Sequence, residues 1–245
     1  MALPSPRDRC YLRRPVKIAV VIPALDEADR IQPTIQSALA PGVDVLVVDG
    51  GSRDRTLEAA REAGARVMGS RPGRAQQLQA GVEATHAEAV VLLHADTLLP
   101  EGWEEAVRGA LADPLVVGGA FSFEFAAGPR RLGLATRALL RFVAWGVRVR
   151  LLVLGLPYGD QALFARRQIL DAVGGVPQVA MMEDLDLVVA LRTRGELRLL
   201  PEAVATSPRR YLEGGVLRTM LRNWVALAAW RLGVRRDSVA RWYAR

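Results

Sequence analysis

The sequence predicts an α/β fold: a mainly parallel sheet with helices on both faces. Three observations predict it. Apolar runs rich in β-branched residues recur at 17–23 (KIAVVIP), 43–48 (ending in VLVV) and 88–94 (containing AVVLLH), as in strands buried on both faces of a sheet. Segments with helical spacing stand between them. The runs are followed by acids, at Asp26-Glu27, Asp49 and Asp96, the place beyond strand carboxyl ends where open α/β sheets bind ligands.

Taken in order, residues 1–16 carry Pro and Arg without an apolar stretch and read as a loose lead with no signal peptide. The first strand is 17–23. A helix over 29–40 stops at Pro41-Gly42. Strand 43–48 leads through VLVVDGGSRDRT into a short helix, 56–63, and a third strand, 65–68. A helix over 73–84 places Ala75, Leu78 and Val82 at helical spacing, and 88–94 is the fourth strand. After Pro100, 101–111 is helical, and 115–125 is a longer strand holding Gly118-Gly119. The second half is less regular. Residues 130–149 read as a helix, 158–165 as a short strand, 183–194 as a helix and 197–200 as a strand. A long amphipathic helix, 215–232, precedes a short one at 237–243. No repeat or clear linker divides 17–245, so one domain is expected.

The 245 residues suffice for a full core. No run of about 20 uncharged apolar residues exists, so no spanning helix is expected. Cys10 is alone, which excludes an internal disulfide and fits a reducing, cytoplasmic location. The net charge is +7, and Lys17 is the only lysine. This balance fits nucleic acid, an anionic membrane surface or phosphorylated ligands, or the codon bias of a GC-rich genome. Nucleic acid is disfavoured: the arginines are spread along the chain, aromatics are 6%, and no stacking motif is present. There is no GxGxxG after the first strand and no GxxxxGK[ST]. Two histidines and one cysteine cannot form the common structural zinc sites.

Four acidic sites remain: Asp26-Glu27, Asp49 with Asp54, Asp96, and Glu183-Asp184 with Asp186. In a parallel sheet, acids after successive strands converge on one edge, where carboxylate oxygens suit Mg²⁺ or Mn²⁺. Two readings stand for each. Asp49 and Asp54 either contact a ligand or cap their own turn, and Glu183 and Asp184 either do chemistry or cap a helix. His94 is a core histidine or a site residue. Asp160 and Gln161 are turn polar groups or an acceptor-side contact. Arg209 and Arg210, read as a loop after Pro208, clamp a diphosphate or are solvated.

Several motifs, in order, resemble the family-2 glycosyltransferases. VVIPALDEADRI resembles their opening motif and VVDGGSRDRT their second. LHADTLLP stands where they carry a D-x-D metal motif, and MEDLDL resembles the motif supplying their catalytic base. With GRAQQLQAG and LPYGDQALFARR, the chain is most similar to a bacterial subgroup known as arsenosugar-biosynthesis glycosyltransferases. The resemblance implies a GT-A fold, a nucleotide-sugar donor, a divalent cation and inverting transfer to an acceptor hydroxyl. It implies a nucleotide-binding half, 17–125, and an acceptor half, 126–245, with C-terminal helices closing the acceptor side. Pro23, Ala24 and Glu27 would line the nucleoside pocket, Asp49 would read the base, Asp54 would support that loop and Arg74 would meet the nucleotide. Asp96 would bind the metal, and Asp184, or else Glu183, would be the base. Three departures stand out: Asp26 replaces the usual Asn, Gly50 replaces an Asp, and His94-Ala95-Asp96 has one carboxylate where D-x-D has two.

A nucleotidyltransferase of similar architecture is the rival enzyme reading, against which Pro23-Ala24-Leu25-Asp26-Glu27 stands where a Gly-rich basic loop would be. In 215–232, Leu217, Met220, Leu221, Trp224, Leu227 and Ala228 form one apolar stripe. That stripe, and the Arg-bearing apolar segment 130–156, either pack on the sheet or in a homodimer, or meet an anionic membrane surface.

Overall fold

A computed structural model describes residues 16–126 and 132–243. The lead with Cys10 and the expected helix start at Arg130 lie outside these residues. The elements run β1 (Ile18–Ala24), α1 (Ile31–Ala38), β2 (Val43–Asp49), α2 (Thr56–Glu62), β3 (Arg66–Gly69), α3 (Arg74–Glu83), β4 (Ala89–Leu92), β5 (Thr97–Leu98), α4 (Trp103–Leu111) and β6 (Val116–Phe125). There follow α5 (Leu134–Leu154), a 3₁₀ turn (Gly159–Gln161), β7 (Leu163–Arg166), α6 (Arg167–Ala172), α7 (Glu183–Arg192), β8 (Glu196–Thr206), α8 (Arg209–Gly214), α9 (Val216–Arg231) and α10 (Arg236–Tyr243).

The strands form one sheet in the order β3-β2-β1-β4-β7-β6-β8-β5. The first four are parallel, as their two-sided apolar runs require. Beyond β4 the sheet is mixed: β7 is antiparallel to β4 and β6, β8 is parallel to β6, and β5 is antiparallel to β8. This topology brings the carboxyl ends of β1, β2, β4, β6 and β8, and the amino end of β7, to one edge.

Two buried apolar clusters cover the sheet's faces. One packs α1 and α4 against Val20, Ile22, Val47 and Val91; the other packs α3, α6 and α7 against Val21, Val48 and Val90. Gly81 lets α3 sit on the sheet: a Cβ there would lie 2.9 Å from Val48 Cγ2 and closer still to Val21. β6 needs Gly118 and Gly119 for the same reason, since side chains there would run into Phe164 and Arg198.

The fold corrects the expectation at four places. Residues 197–200 are the middle of a longer strand, β8, in which Pro201 and Glu202 are skipped by β6: Phe121 pairs with Leu200 and Ser122 with Ala203. Such a bulge tolerates Pro inside a strand. Arg209 and Arg210 open a short helix rather than a loop, with Pro208 before its first turn. The segment 158–165 is a 3₁₀ turn followed by strand. The short β5 and α6 also form where no element was expected.

Candidate active site

At the ends of β1 and β2 the two following loops are sewn together. Asp26 takes a left-handed backbone (φ 54°), which Asp tolerates better than most residues. Its amide donates to Ser52 Oγ (2.9 Å), and its carboxylate accepts the Arg53 amide (2.7 Å). The Glu27 amide donates to Thr56 Oγ1 (2.9 Å) and the Ala28 amide to Asp54 Oδ2 (3.0 Å). Asp54 also accepts the Thr56 amide and hydroxyl, and the hydroxyl bond holds its carboxyl below the usual range. Asp49, 4% exposed, accepts the amides of Gly51 (2.9 Å) and Ser52 (3.0 Å) on Oδ2 and the Ser52 hydroxyl on Oδ1. Both of its oxygens therefore serve its own turn. Pro23 and Ala24 are buried at the end of β1. Gln77 of α3 donates to Ala24 O (2.7 Å) and Val48 O (2.8 Å), joining the two strand ends. Gln77 stands in GRAQQLQAG, but a glutamine on a helix gives no sign in sequence that it will be buried.

A second group surrounds Arg74, the first residue of α3. Its Nε pairs with the buried Glu183, and its Nη1 lies 3.4 Å from His94 Nε2. Burial disfavours the guanidinium charge, but the carboxylates of Glu183 and Asp184 overcome it and raise its pKa above the ordinary value. His94 is the reverse case: burial, with the charges of Arg74 and Arg210, pushes its pKa well below the ordinary 6.5. It is neutral and presents Nε2 as an acceptor to Arg74.

Asp184, beside Glu183, points elsewhere. Its Oδ2 accepts the Gly159 amide (2.7 Å), its Oδ1 accepts the Leu185 amide (2.9 Å), and it lines a large cleft. A Cβ on Gly159 would lie 2.7 Å from His94 Nε2 and 3.2 Å from Asp184 Oδ2, so only glycine fits there. Asp160 lines the same cleft with Oδ1 buried and unpaired, and burial raises its carboxyl pKa. Gln161 does not reach the cleft. Fully buried, it accepts from Arg150 Nη2 (3.1 Å) and the Tyr158 amide (3.2 Å) and donates to Phe121 O (3.0 Å).

Between these groups lies Asp96, whose carboxyl is raised by burial and by the charge of Glu27. Glu27 is itself bridged by Arg209 (3.1 Å) and Arg30 (3.2 Å). Arg209 thus faces Glu27, while Arg210 lines the cleft. Among the described residues no group of three or more metal-ligating side chains occurs. Asp96 is half-buried, and the charges of Arg209 and Arg210 only partly offset its burial; a single carboxylate of this kind fits a divalent cation that takes most of its oxygens from phosphate and water. It does not fit one held by the protein alone.

The cleft has a volume of about 750 Å³. Arg74, His94, Asp96, Asp160, Asp184 and Arg210 stand among its lining; the rest is mainly apolar and comes from β6, α5 and α9. A polar chain braces this side: Arg210 Nη2 donates to Tyr243 Oη (3.1 Å), Tyr243 to Asn223 (2.6 Å), and Asn223 to Tyr211 Oη (3.1 Å). Burial, with the charge of Asp160, pushes the Tyr211 phenol up to about 12. Asp186 stands apart from the other acids of its motif. It accepts Trp230 Nε1 (2.7 Å) and Arg236 Nη2 (2.8 Å), tying α7 to the C-terminal helices. The apolar stripe of α9 divides: Leu227 is buried, while Leu217, Leu221 and Trp224 are exposed.

Residues 19–171 match the family described as glycosyl transferase family 2. The chain belongs to that family. Glucosyl-3-phosphoglycerate synthase of Mycolicibacterium paratuberculosis is 37% identical over 97 residues, covering 34% of this chain and 29% of that one. Glycosyltransferase AglJ of Haloferax volcanii is 32% identical over 138 residues, 55% of this chain and 43% of that one. These matches therefore span less than half the length of either relative. The solved glucosyl-3-phosphoglycerate synthase of Mycobacterium tuberculosis, in complex with Mn²⁺, UDP and glucosyl-3-phosphoglycerate, superposes with a TM-score of 0.62 at 24% identity, over 89% of this chain and 81% of that one. A second complex of that enzyme, with Mg²⁺ and UDP, gives 0.61. The family-2 chain thus has the GT-A fold, a mixed, mostly parallel sheet wrapped by helices. Among the described residues no helix is long and apolar enough to cross a membrane.

Proposed function

We propose that the chain transfers a sugar from a nucleotide diphosphate sugar to an acceptor hydroxyl by a single inverting displacement. The observation that carries this reading is the division of labour between Glu183 and Asp184. Glu183 is buried against Arg74, whereas Asp184 faces the cleft, oriented by the Gly159 amide. Asp184 would take the proton from the acceptor hydroxyl as its oxygen attacks C1 and the bond to the diphosphate breaks. Arg74, oriented by Glu183, would meet the departing diphosphate, with Arg210 in the same cleft. Pro23, Ala24 and Glu27 would flank the nucleoside. Asp49 would act on the base through the turn it builds, and Asp54 would fix that turn to the first loop. Asp96 would hold a Mg²⁺ or Mn²⁺ ion brought by the donor; bound there, the ion supplies charge neutralisation to the diphosphate. Solved complexes of the fold relative contain UDP and Mn²⁺, which makes UDP the first nucleotide to try.

Within the family, the proposal groups the chain with the arsenosugar-biosynthesis subgroup on the strength of GRAQQLQAG and LPYGDQALFARR. That name does not fix the acceptor, because family does not determine substrate. The proposal also includes contact of α5 and α9 with an anionic bilayer surface, since both helices expose large apolar side chains alongside arginines. A homodimer covering the same faces is the competing arrangement.

A thermal-shift panel of UDP, GDP, CDP and dTDP with Mn²⁺ tests the donor site. One nucleotide should raise Tm selectively and with cation dependence, as binding at about 100 times Kd stabilises by about 2.7 kcal/mol. No shift with any of the four, from a folded sample, sinks the proposal.

A further inference from the structure

We infer that the acceptor is an amphiphile, a hydroxyl-bearing head on an alkyl or isoprenoid chain, with the chain lodged in the cavity between β6, α5 and α9. This rests on the transferase reading above and names the substrate class it left open.

The cavity is polarised from end to end. Most of its charged groups, Arg74, Asp160, Arg150 and Arg210 among them, are gathered around Asp184, where a donor sugar and an attacking hydroxyl would meet. Beyond them the larger part of the lining is apolar, with Phe123, Phe125, Val143 and Met220, and the polar groups among these, Tyr211, Asn223 and Tyr243, are already bonded to one another and to Arg210. A head group rich in hydroxyls or phosphate would lose its hydration against such walls with few free partners to replace it. A hydrocarbon chain would lose nothing and would remove that apolar surface from water. The volume, about 750 Å³, takes in the donor end at Arg74 and Asp96 as well, and is that of a pocket for more than one sugar ring.

The mouth has the same character. Phe142 and Trp145 stack on each other with centroids 5.7 Å apart, and both line the cavity. Trp145 is 58% and Trp224 53% exposed, although both are cavity walls. The apolar lining therefore continues to the outer surface, where a chain can enter from the side. The solved fold relative has been captured with phosphoglyceric acid, a small anion. An anion of that kind needs several converging cations. On this side Arg210 is hydrogen-bonded to Tyr243, and Arg150 lies 3.4 Å above the Tyr158 ring centroid and is bonded to Gln161; the charges of both already act on Asp160, and Arg231 is the further cation in the lining.

The test is calorimetry on the full chain with butyl, hexyl and octyl 1-O-glycerol ethers, each below its micelle concentration, with UDP and Mn²⁺ titrated separately. Affinity for the ethers should rise about two- to fourfold per added methylene. Trp145→Glu at the mouth and Met220→Gln within the cavity should flatten that series and leave UDP binding unchanged. Because Trp145 is largely exposed, the first variant should fold. UDP binding with no ether binding, or with affinity independent of chain length, overturns the inference and leaves the transferase reading intact. A chain-length series without UDP binding overturns the acceptor role while keeping the apolar site. Sedimentation showing a dimer that octylglycerol cannot enter or dissociate would assign the cavity to a second copy and also overturn it.

Discussion

The loops after β1 and β2 leave few of their polar groups unpaired, whereas the walls between β6, α5 and α9 are mainly apolar. On the first side, Asp26, Asp49, Asp54 and Gln77 are all satisfied by backbone or hydroxyl groups of the neighbouring loop. On the second, Asp160 Oδ1 and Arg150 Nε are buried with no partner, and large apolar side chains stand in water. A paired network fixes one geometry, because moving any member strands the others. An apolar cavity fixes a volume and a polarity but little shape. On the transferase reading proposed above, the first side would hold one kind of ligand in one pose and the second would accept a class of them.

The boundary between the halves is where the largest effect is expected. Asp184→Asn should lower kcat by about 10²-fold or more with donor affinity nearly unchanged. Glu183→Gln should act mainly on stability, with a smaller loss of kcat through the misplaced Arg74. Breaking a buried pair typically costs about 3–5 kcal/mol, which the partial exposure of Arg74 reduces to roughly 2 kcal/mol here. If Asp184→Asn stays active and Glu183→Gln does not, the roles are exchanged. Next in size is Gly81→Ala, which pushes a methyl into Val21 and Val48 of the paired half. Overpacking there should cost about 1–3 kcal/mol, seen as a lower urea midpoint with the slope preserved.

His94 sharpens the comparison through pH. Its folded pKa lies below the unfolded 6.5. As pH falls below that value the unfolded chain takes up a proton that the folded chain refuses, so stability declines on acidification. His94→Gln should remove that part of the acid-side decline, measured as Tm against pH. Equal slopes in variant and wild type would show that His94 titrates normally. The smallest effect, and of opposite sign, is expected for Gly146→Ala in α5. A Cβ there meets nothing within 4 Å, so ordinary helix propensity should stabilise by about 0.5–1 kcal/mol. A loss of that size would mean the site is filled in solution.

The same contrast decided what could be read from sequence. The parallel strands were legible because continuous Val and Ile runs have few alternatives, and the acids after them mark the functional edge without any side-chain geometry. β8 was legible only to Leu200, because Pro201 and Glu202 interrupt its pattern and only pairing across a bulge carries it on to Thr206. Pro208 was read as loop when it precedes a helix, and nothing local distinguishes the two. The carboxylate partner of Arg74 and the partners of Asp186 lie 109 and 44–50 residues away, a separation that composition and spacing do not encode. The choice between Glu183 and Asp184 also depended on such a partner. Adjacent helix residues point in directions about 100° apart, and which direction faces the cleft is set by the strands beneath.

Asp186 links two properties usually thought of as separately adjustable. Through Trp230 and Arg236 it fastens the C-terminal helices to α7, two residues from the carboxylate facing the cleft. Retailoring α9 for a new partner molecule therefore pulls on the mount of Asp184 unless this anchor is preserved. Grafted or shuffled C-terminal segments should inherit catalytic competence only when an indole and a guanidinium arrive at positions 230 and 236 together. On the proposed reading, substrate breadth would be free to change on one side of this anchor and constrained on the other.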